Sequence, residues 1–276
     1  MIRCSVLGIG VFGPGLPDWT AAREVFSGIR PYVPEHTAPP SSTLLPAAER
    51  RRATPSTRIA LAVAQQALTH AKISAVGVPA VFGSSSGNPD IIHDICAMLA
   101  DGDYQISPTK FHNSVHNAAS GYYSIAVQSH CAVTSLCAFD DTAVAALLEA
   151  AVQATTESTP VLMVSYDLPY PFPLSEARPT VDAWAISLVL APPDVSGSAQ
   201  LTFGDSAEHA VETAMTDPSL NTARIGNPTA RLLPLLAKLA QPAVAATQGP
   251  GAPGIDHIVT LRQSNGRALS VTVLPA

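Results

Sequence analysis

Charged side chains are scarce in this chain. They account for 13% of its 276 residues, whereas roughly 25% is usual for a soluble domain. Much of the surface must therefore be weakly polar or apolar, which a large interface with a partner protein would explain. The net charge is −6 and the longest basic cluster is Arg50–Arg52, so neither nucleic acid nor an anionic membrane is an expected target.

Cysteines and long apolar runs are also few. The four cysteines, Cys4, Cys96, Cys131 and Cys137, are scattered through apolar stretches, so no disulfide framework is indicated. No leader segment is recognised at Met1, because glycines interrupt the apolar run that follows it. We therefore expect a reducing, cytoplasmic location. No run of about 18 apolar residues occurs, so no segment is expected to cross a bilayer.

Hydrophobic residues are plentiful, at 47%, which is enough for one large core. The hydrophobic pattern predicts strands over 2–9, 80–82, 134–139, 160–165 and 183–190, and helices over 18–27, 56–72, 88–100 and 140–155, with another beginning at Asn117. Strands that alternate with helices predict an α/β fold around a mixed sheet of about five strands. Residues 193–276 add a short strand near Leu201, a helix over 228–240, a loose linker over 241–256 and a hairpin around the two-residue turn Asn265–Gly266.

Two glycine-rich motifs suggest chemistry that their contexts do not support. Residues 8–13 fit the dinucleotide fingerprint, but Pro14 and Pro17 delay the helix whose N-terminus a pyrophosphate needs, so no cofactor is expected. Residues 83–87 fit the nucleophile elbow of hydrolases and make Ser85 a candidate nucleophile, although Asn88 and Pro89 separate this loop from its helix. A turn explains the loop equally well, and a serine hydrolase stays open as an alternative.

Histidines and a cysteine raise two further possibilities. His112 and His116 have the spacing of a helical zinc site, but Asn113 stands where a metalloprotease has its general base and no third ligand is evident. No metal is expected, and hydrogen bonds in a semi-buried loop explain these side chains better. Cys131 lies beside His130 and is a second candidate nucleophile, yet neighbours in sequence point apart on a strand or turn.

The segment from Phe111 to Asp140 is the most informative part of the sequence. Asn117 and Gly121 form an Asn-x-x-x-Gly pattern, an apolar strand follows, and Asp140 lies 23 positions after Asn117. This arrangement resembles the core of the ketosynthase family, whose members carry a nucleophilic cysteine at that spacing, at a sharp turn between a strand and a helix. An aspartate there cannot replace a thiolate, which both attacks a thioester and leaves again at neutral pH.

The block Phe-His-Asn-Ser-Val-His-Asn at 111–117 resembles in particular the truncated ketosynthase-like proteins that include chain-length-factor-like subunits of aryl polyene and related type II polyketide clusters. Residues 183–192 and 226–234 resemble later blocks of the same proteins. The resemblance implies the N-terminal half of a thiolase-like fold over residues 1–192, with 193–276 as a reduced extension that completes the same domain.

The resemblance also implies a function. Active relatives take two further catalytic residues, two histidines or a histidine and an asparagine, from their C-terminal half. The only histidines in the last 85 residues of this chain are His209 and His257, and neither lies in one of the family's motifs. The implied role is a non-catalytic subunit, inactive alone, that forms a heterodimer with a full-length ketosynthase, shapes its acyl tunnel and meets the acyl carrier protein through that partner. A purely structural interaction protein, or a stand-alone hydrolase or acyltransferase using Ser85 or Cys131, remains an alternative.

Residue roles follow from the same resemblance. Bulky Phe111 and Tyr122 or Tyr123 would set the depth of the tunnel. Asp140 and Asp141 also have a simpler explanation, because acidic residues in the first turn of a helix cap its free N–H groups. The residues expected at the acyl tunnel or interface are Ser86, Phe111, His112, Asn113, Val115, His116, Asn117, Tyr122 and Tyr123.

Overall fold

The structure is a computed structural model that describes residues 1–38, 44–205, 210–241 and 258–275. Its strands are β1 Ile2–Phe12, β2 Ala80–Gly83, β3 Val133–Leu136, β4 Val161–Asp167, β5 Trp184–Ala191, β6 Ala199–Asp205, β7 Ile258–Arg262 and β8 Ala268–Pro275. Its helices are α1 Trp19–Phe26, α2 Ala47–Arg52, α3 Pro55–Ala71, α4 Pro89–Ala100, α5 Pro108–Ser114, α6 Ala118–Val127, α7 Thr142–Thr156, α8 Leu174–Ala177, α9 Pro218–Gly226 and α10 Leu233–Leu239. Short 3-10 turns cover Phe139–Asp141 and Thr229–Leu232.

All described strands belong to one mixed sheet, in the order β3-β2-β4-β5-β1-β6-β8-β7. β2 pairs in parallel with β3 and with β4, and the other pairs are antiparallel. The crossover from β3 through α7 to β4 explains the parallel part, because parallel strands need a long connection. β2 lies between β3 and β4, so these two strands are parallel without being neighbours.

Helices cover both faces of the first five strands. α3 and α6 pack on one face, and α7 and α1 pack on the other, which gives two clusters of buried apolar residues, while α10 contacts β7 and β8. Every residue of β4 and of β5 is buried, as expected for strands that carry helices on both sides. β6 instead alternates between buried and partly buried residues, which is the pattern of a strand with one covered face.

The predicted α/β class and the mixed sheet are confirmed, but the expected strand number is wrong. The first five strands correspond to the predicted sheet, and three C-terminal strands extend it beyond β1. β6 pairs antiparallel with β1, from Ile2 opposite Phe203 to Val6 opposite Ala199. Because a strand's hydrogen-bonding partner can lie anywhere in the chain, local patterns do not reveal this extension.

Other differences have local causes. Helices α2, α5, α8 and α9 were not predicted, and none exceeds nine residues. The predicted helix over 228–240 is divided into the 3-10 turn and α10, because Pro234 at the start of α10 has no N–H to continue one helix. In the hairpin the Gln263 N–H donates to the Arg267 carbonyl at 2.8 Å, so the loop contains three residues and not two.

Part of the C-terminal prediction lies outside the described residues. This applies to His209, to His257 and to the expected linker beyond Gln241. Within the ranges given above, no helix combines the length and apolar character needed to cross a bilayer.

Candidate functional site

A sharp turn joins the end of β3 to α7, and we call residues 137–142 the corner. Phe139 has a φ of 52°, a conformation that is strained for a bulky residue. The Thr142 hydroxyl stabilises the turn, since it accepts from the Ala138 N–H at 3.0 Å and donates to the Phe139 carbonyl at 2.6 Å. The strained residue is thus Phe139, and Asp140 follows it directly at the sheet-to-helix turn.

The corner is held by ion pairs. The Asp140 carboxylate accepts from the Arg178 guanidinium at 2.8 Å and lies 3.7 Å from that of Arg231. Arg231 also approaches Asp141 at 3.6 Å, and the Arg178 guanidinium lies 3.7 Å from the centre of the Phe139 ring. These opposite charges attract one another in a largely shielded setting. Each carboxylate is therefore paired with at least one arginine.

This geometry differs from the capping role that the sequence suggested. Neither Asp140 nor Asp141 caps the helix with its side chain. Asp141 instead accepts from the Ser264 N–H, at 2.9 and 3.0 Å, and from its hydroxyl at 3.0 Å. The two carboxylates therefore tie the corner to the loop after α8, to the 3-10 turn at Arg231 and to the C-terminal hairpin. A cavity of about 260 Å³ beside the corner is lined by Phe139, Asp140, Arg178 and Arg231, among others.

The Gly/Ser loop at 83–87 is organised around a buried carboxylate that the sequence reasoning missed. Asp167, the last residue of β4, accepts from the Ser85 N–H and hydroxyl, each at 2.8 Å, and from the Ser84 hydroxyl at 3.2 Å. Its second oxygen accepts from the Thr229 hydroxyl at 3.0 Å. Burial raises the pKa of Asp167, and the bonds from Ser85, Thr229 and Ser84 act in the opposite direction.

A signal for this residue was present in the sequence. Asp167 is an acidic residue at the carboxyl end of a largely apolar strand, and β4 runs parallel to β2, which leads into the loop. Carboxyl ends of parallel strands meet at one edge of a sheet. That β2 and β4 are neighbours, however, follows only from the sheet order.

The loop does not have the geometry of a serine hydrolase. The Ser85 hydroxyl donates to Asp167. The imidazole that contacts this loop is His116, and it bonds the Ser84 carbonyl at 2.8 Å instead of the Ser85 hydroxyl. Because a carbonyl only accepts, His116 Nε2 is the donor there. Cys131 lies in the turn before β3, where its N–H bonds the Ser129 hydroxyl.

The expected interface segment, Phe111–Asn117, covers most of α5 and the turn before α6. Phe111 and Val115 are exposed, at 65% and 46% of their surface. Asn113 is buried, and its side chain donates to the carbonyls of Arg52 and Thr109 at 3.2 and 3.1 Å.

Tyr122 and Tyr123 are buried within this chain. The Tyr123 ring packs 5.4 Å from that of Phe82, and the Tyr122 ring meets His112 edge-on at 5.6 Å. Burial raises the pKa of Tyr123 to about 12. Tyr122 thus contacts the segment at His112, whereas Phe111 is exposed.

The motifs for other chemistries are separated by the fold. His112 contacts Tyr122 and His116 bonds Ser84, so their imidazoles face different neighbours. Among the described residues, no three His, Cys, Asp or Glu side chains converge as metal ligands would. Gly8 and Gly10 lie in the middle of β1, where a Cβ would collide with the Ala67 and Val63 carbonyls of α3. These glycines allow close packing of strand and helix.

Comparison with known proteins agrees with this architecture. Residues 26–243, well over half of the chain, match the family described as the beta-ketoacyl synthase N-terminal domain. The fold is therefore of the thiolase-like ketosynthase type. The chain belongs to the beta-ketoacyl synthase family through this domain. No curated protein sequence matches it.

Several solved structures share the fold at low sequence identity. One is a ketosynthase (ApeO) in complex with its chain length factor (ApeC) from Xenorhabdus doucetiae, with 18% identity, a TM-score of 0.68 and coverage of 99% of this chain and 100% of that one. Another is AntDE:AntF, a type II polyketide synthase acyl-carrier protein in complex with its ketosynthase, with 12% identity, a TM-score of 0.70 and coverage of 100% and 99%. The ishigamide ketosynthase/chain length factor has 11% identity, a TM-score of 0.67 and coverage of 100% and 99%.

Proposed function

We propose that this chain is a non-catalytic, chain-length-factor-like subunit that pairs with a full-length ketosynthase and shapes its acyl tunnel in polyene or fatty-acid-like polyketide biosynthesis. The observation that carries the proposal is the corner. It presents Phe139 and an Asp140 carboxylate paired with Arg178 at 2.8 Å, where an active ketosynthase requires a thiolate. The acyl carrier protein would reach this chain through the partner.

The surface next to the corner supports the pairing. β3 forms one edge of the sheet, and no described strand pairs with its outer side. Exposed apolar side chains lie on the elements that contact one another around this edge, including Phe111 and Val115 near α5 and Ile125 on α6, which is 52% exposed. An open edge beside exposed apolar groups is a surface that proteins usually cover. A low content of charge fits the same use.

The first test is co-expression with a full-length ketosynthase from the same organism. Co-purification in equal amounts is expected, since the covered surface would be large and apolar. A chain that never co-purifies with this ketosynthase contradicts the pairing.

The second test changes the tunnel. Phe111→Ala removes a large exposed ring from the proposed tunnel wall, so the reconstituted pair should release longer products, measured by mass spectrometry. Phe172→Ala is the matched control, because Phe172 is 71% exposed and lies outside the interface segment. If the Phe111→Ala variant still pairs but product length does not change, the chain acts as a structural interaction protein and does not shape the tunnel.

A stand-alone hydrolase or acyltransferase gives a different result. It would form a covalent adduct at Ser85 with a phosphonate probe or at Cys131 with a thiol-reactive acyl probe, detected on the intact protein. The bond from Ser85 to Asp167 argues against the first adduct, because the hydroxyl donates to a buried carboxylate while His116 bonds the Ser84 carbonyl.

A further inference from the structure

Asp167 holds the Gly/Ser loop without help from any described cation. Its carboxylate is buried and accepts hydrogen bonds from two serine hydroxyls, one backbone N–H and Thr229, with the Ser86 hydroxyl more distant at 3.4 Å. A buried carboxylate is retained only when such donors replace water. Each donor is in turn fixed by the carboxylate, so the loop has one favoured conformation.

The same loop is bonded to the proposed interface segment. His116 Nε2 donates to the Ser84 carbonyl at 2.8 Å, and the Asn88 amide donates to the Asn113 carbonyl at 2.8 Å. Gly87 lies close to His116, since a Cβ added to Gly87 would be 3.6 Å from the Cδ2 atom of His116. One hydrogen bond from the loop and one from the adjacent Asn88 thus connect this region to the segment that carries Phe111, at His116 and at Asn113.

We propose that Asp167 is a positioning residue for the acyl tunnel: by fixing the 84–87 loop, it sets through His116 the place of Phe111–Asn117 and hence the length of the product. This inference rests on the proposed function. Asp167 itself lies beneath the loop and would touch neither the acyl chain nor the partner.

Two variants test this inference. Asp167→Asn exchanges one acceptor oxygen for a donor, and Ser85→Ala removes one hydroxyl while keeping the backbone donor. Asp205→Asn is the matched control, because Asp205 also ends a strand but its side chain is 85% exposed. If Asp167→Asn does not fold, Ser85→Ala carries the test, since Ser85 is only partly buried.

The first measurement is hydrogen exchange on the subunit alone. We expect residues 111–117 to exchange about tenfold faster in both variants, as when local opening loses the support of a hydrogen bond. Exchange in β8 should stay unchanged and serves as an internal reference for global stability. Equal exchange of the segment in the wild type and in both variants would overturn the proposal.

The second measurement is the product distribution of the reconstituted pair. Asp167→Asn and Ser85→Ala should broaden or shift product length while co-purification persists, and Asp205→Asn should leave it unchanged. A wild-type distribution in both variants overturns the positioning role. The proposed function fails on different results: the wild-type chain does not co-purify with the ketosynthase, or Phe111→Ala leaves product length unchanged. The exchange experiment depends on neither result.

Discussion

Asp140 and its arginines decide the chemistry of the corner at the scale of single residues. Arg178 contacts both the Asp140 carboxylate and the Phe139 ring, so one guanidinium stabilises two neighbouring residues of the corner. A carboxylate held in this way is stabilised by charge-assisted hydrogen bonding. The residue therefore contributes to the stability of the turn.

A double-mutant cycle measures this contribution. Asp140→Ala and Arg178→Ala, alone and together, should show a coupling of about 0.5–1 kcal/mol in the free energy of unfolding, because the pair is partly shielded from solvent. Urea denaturation of the four proteins provides the values. The pair Asp205 and Arg267, 3.9 Å apart and more than two-thirds exposed, should show a coupling near zero. Equal coupling in the two pairs would show that the corner has no special stability.

At the scale of elements, the edge strand β3 determines what the sheet can still bind. The Ala132 and Leu136 carbonyls accept from the N–H groups of Ala80 and Ser84. Alternate residues of a strand point to opposite sides, so Val133 and Ser135 direct their backbone groups away from β2. No described strand pairs with these groups.

Val133→Pro tests the outer edge of β3. It removes one outward N–H and keeps the ladder to β2, so the subunit should fold while its affinity for the ketosynthase falls by about tenfold, the cost of roughly one hydrogen bond. Affinity can be measured by interferometry on the purified partners. Val133→Ala is the control, since it shortens the side chain but retains the N–H. Equal binding by both variants would place the partner on another surface.

At the scale of the whole molecule, the C-terminal third completes the sheet and the core. β6 pairs with β1, and buried residues such as Leu201, Leu235 and Val271 belong to the same cluster as Val6 and Ile186. Residues beyond 192 are therefore part of the packing on which the first strands depend.

A chain that ends at residue 192 should consequently lose cooperative folding. β1 would keep only its pairing with β5, and apolar groups now covered by β6 and α10 would face water. We expect no sharp thermal transition by circular dichroism and weak near-ultraviolet signals. Adding residues 193–276 as a separate fragment should restore part of the transition. A cooperative melt of the shortened chain alone would show that residues 1–192 form an independent domain.

The sequence by itself determined the α/β class, most of the longer helices and strands, and the family, because these depend on local periodicity and on a spaced motif from Asn117 to Asp140. The role of Phe111 in the tunnel came only from the family resemblance, and it stays a prediction. Local patterns are sufficient wherever neighbours in sequence are also neighbours in space.

Only the tertiary structure decided how distant segments meet. It placed β6 against β1, Arg178 and Arg231 against Asp140, and Asp167 beneath the Gly/Ser loop. It also placed Gln66 of α3 against the Val11 N–H, at 2.9 Å, where β1 has passed the end of β6. Partners in such contacts are 38 to 201 residues apart in the chain, and hydrogen bonds and ion pairs depend on distance in space, which no local pattern encodes.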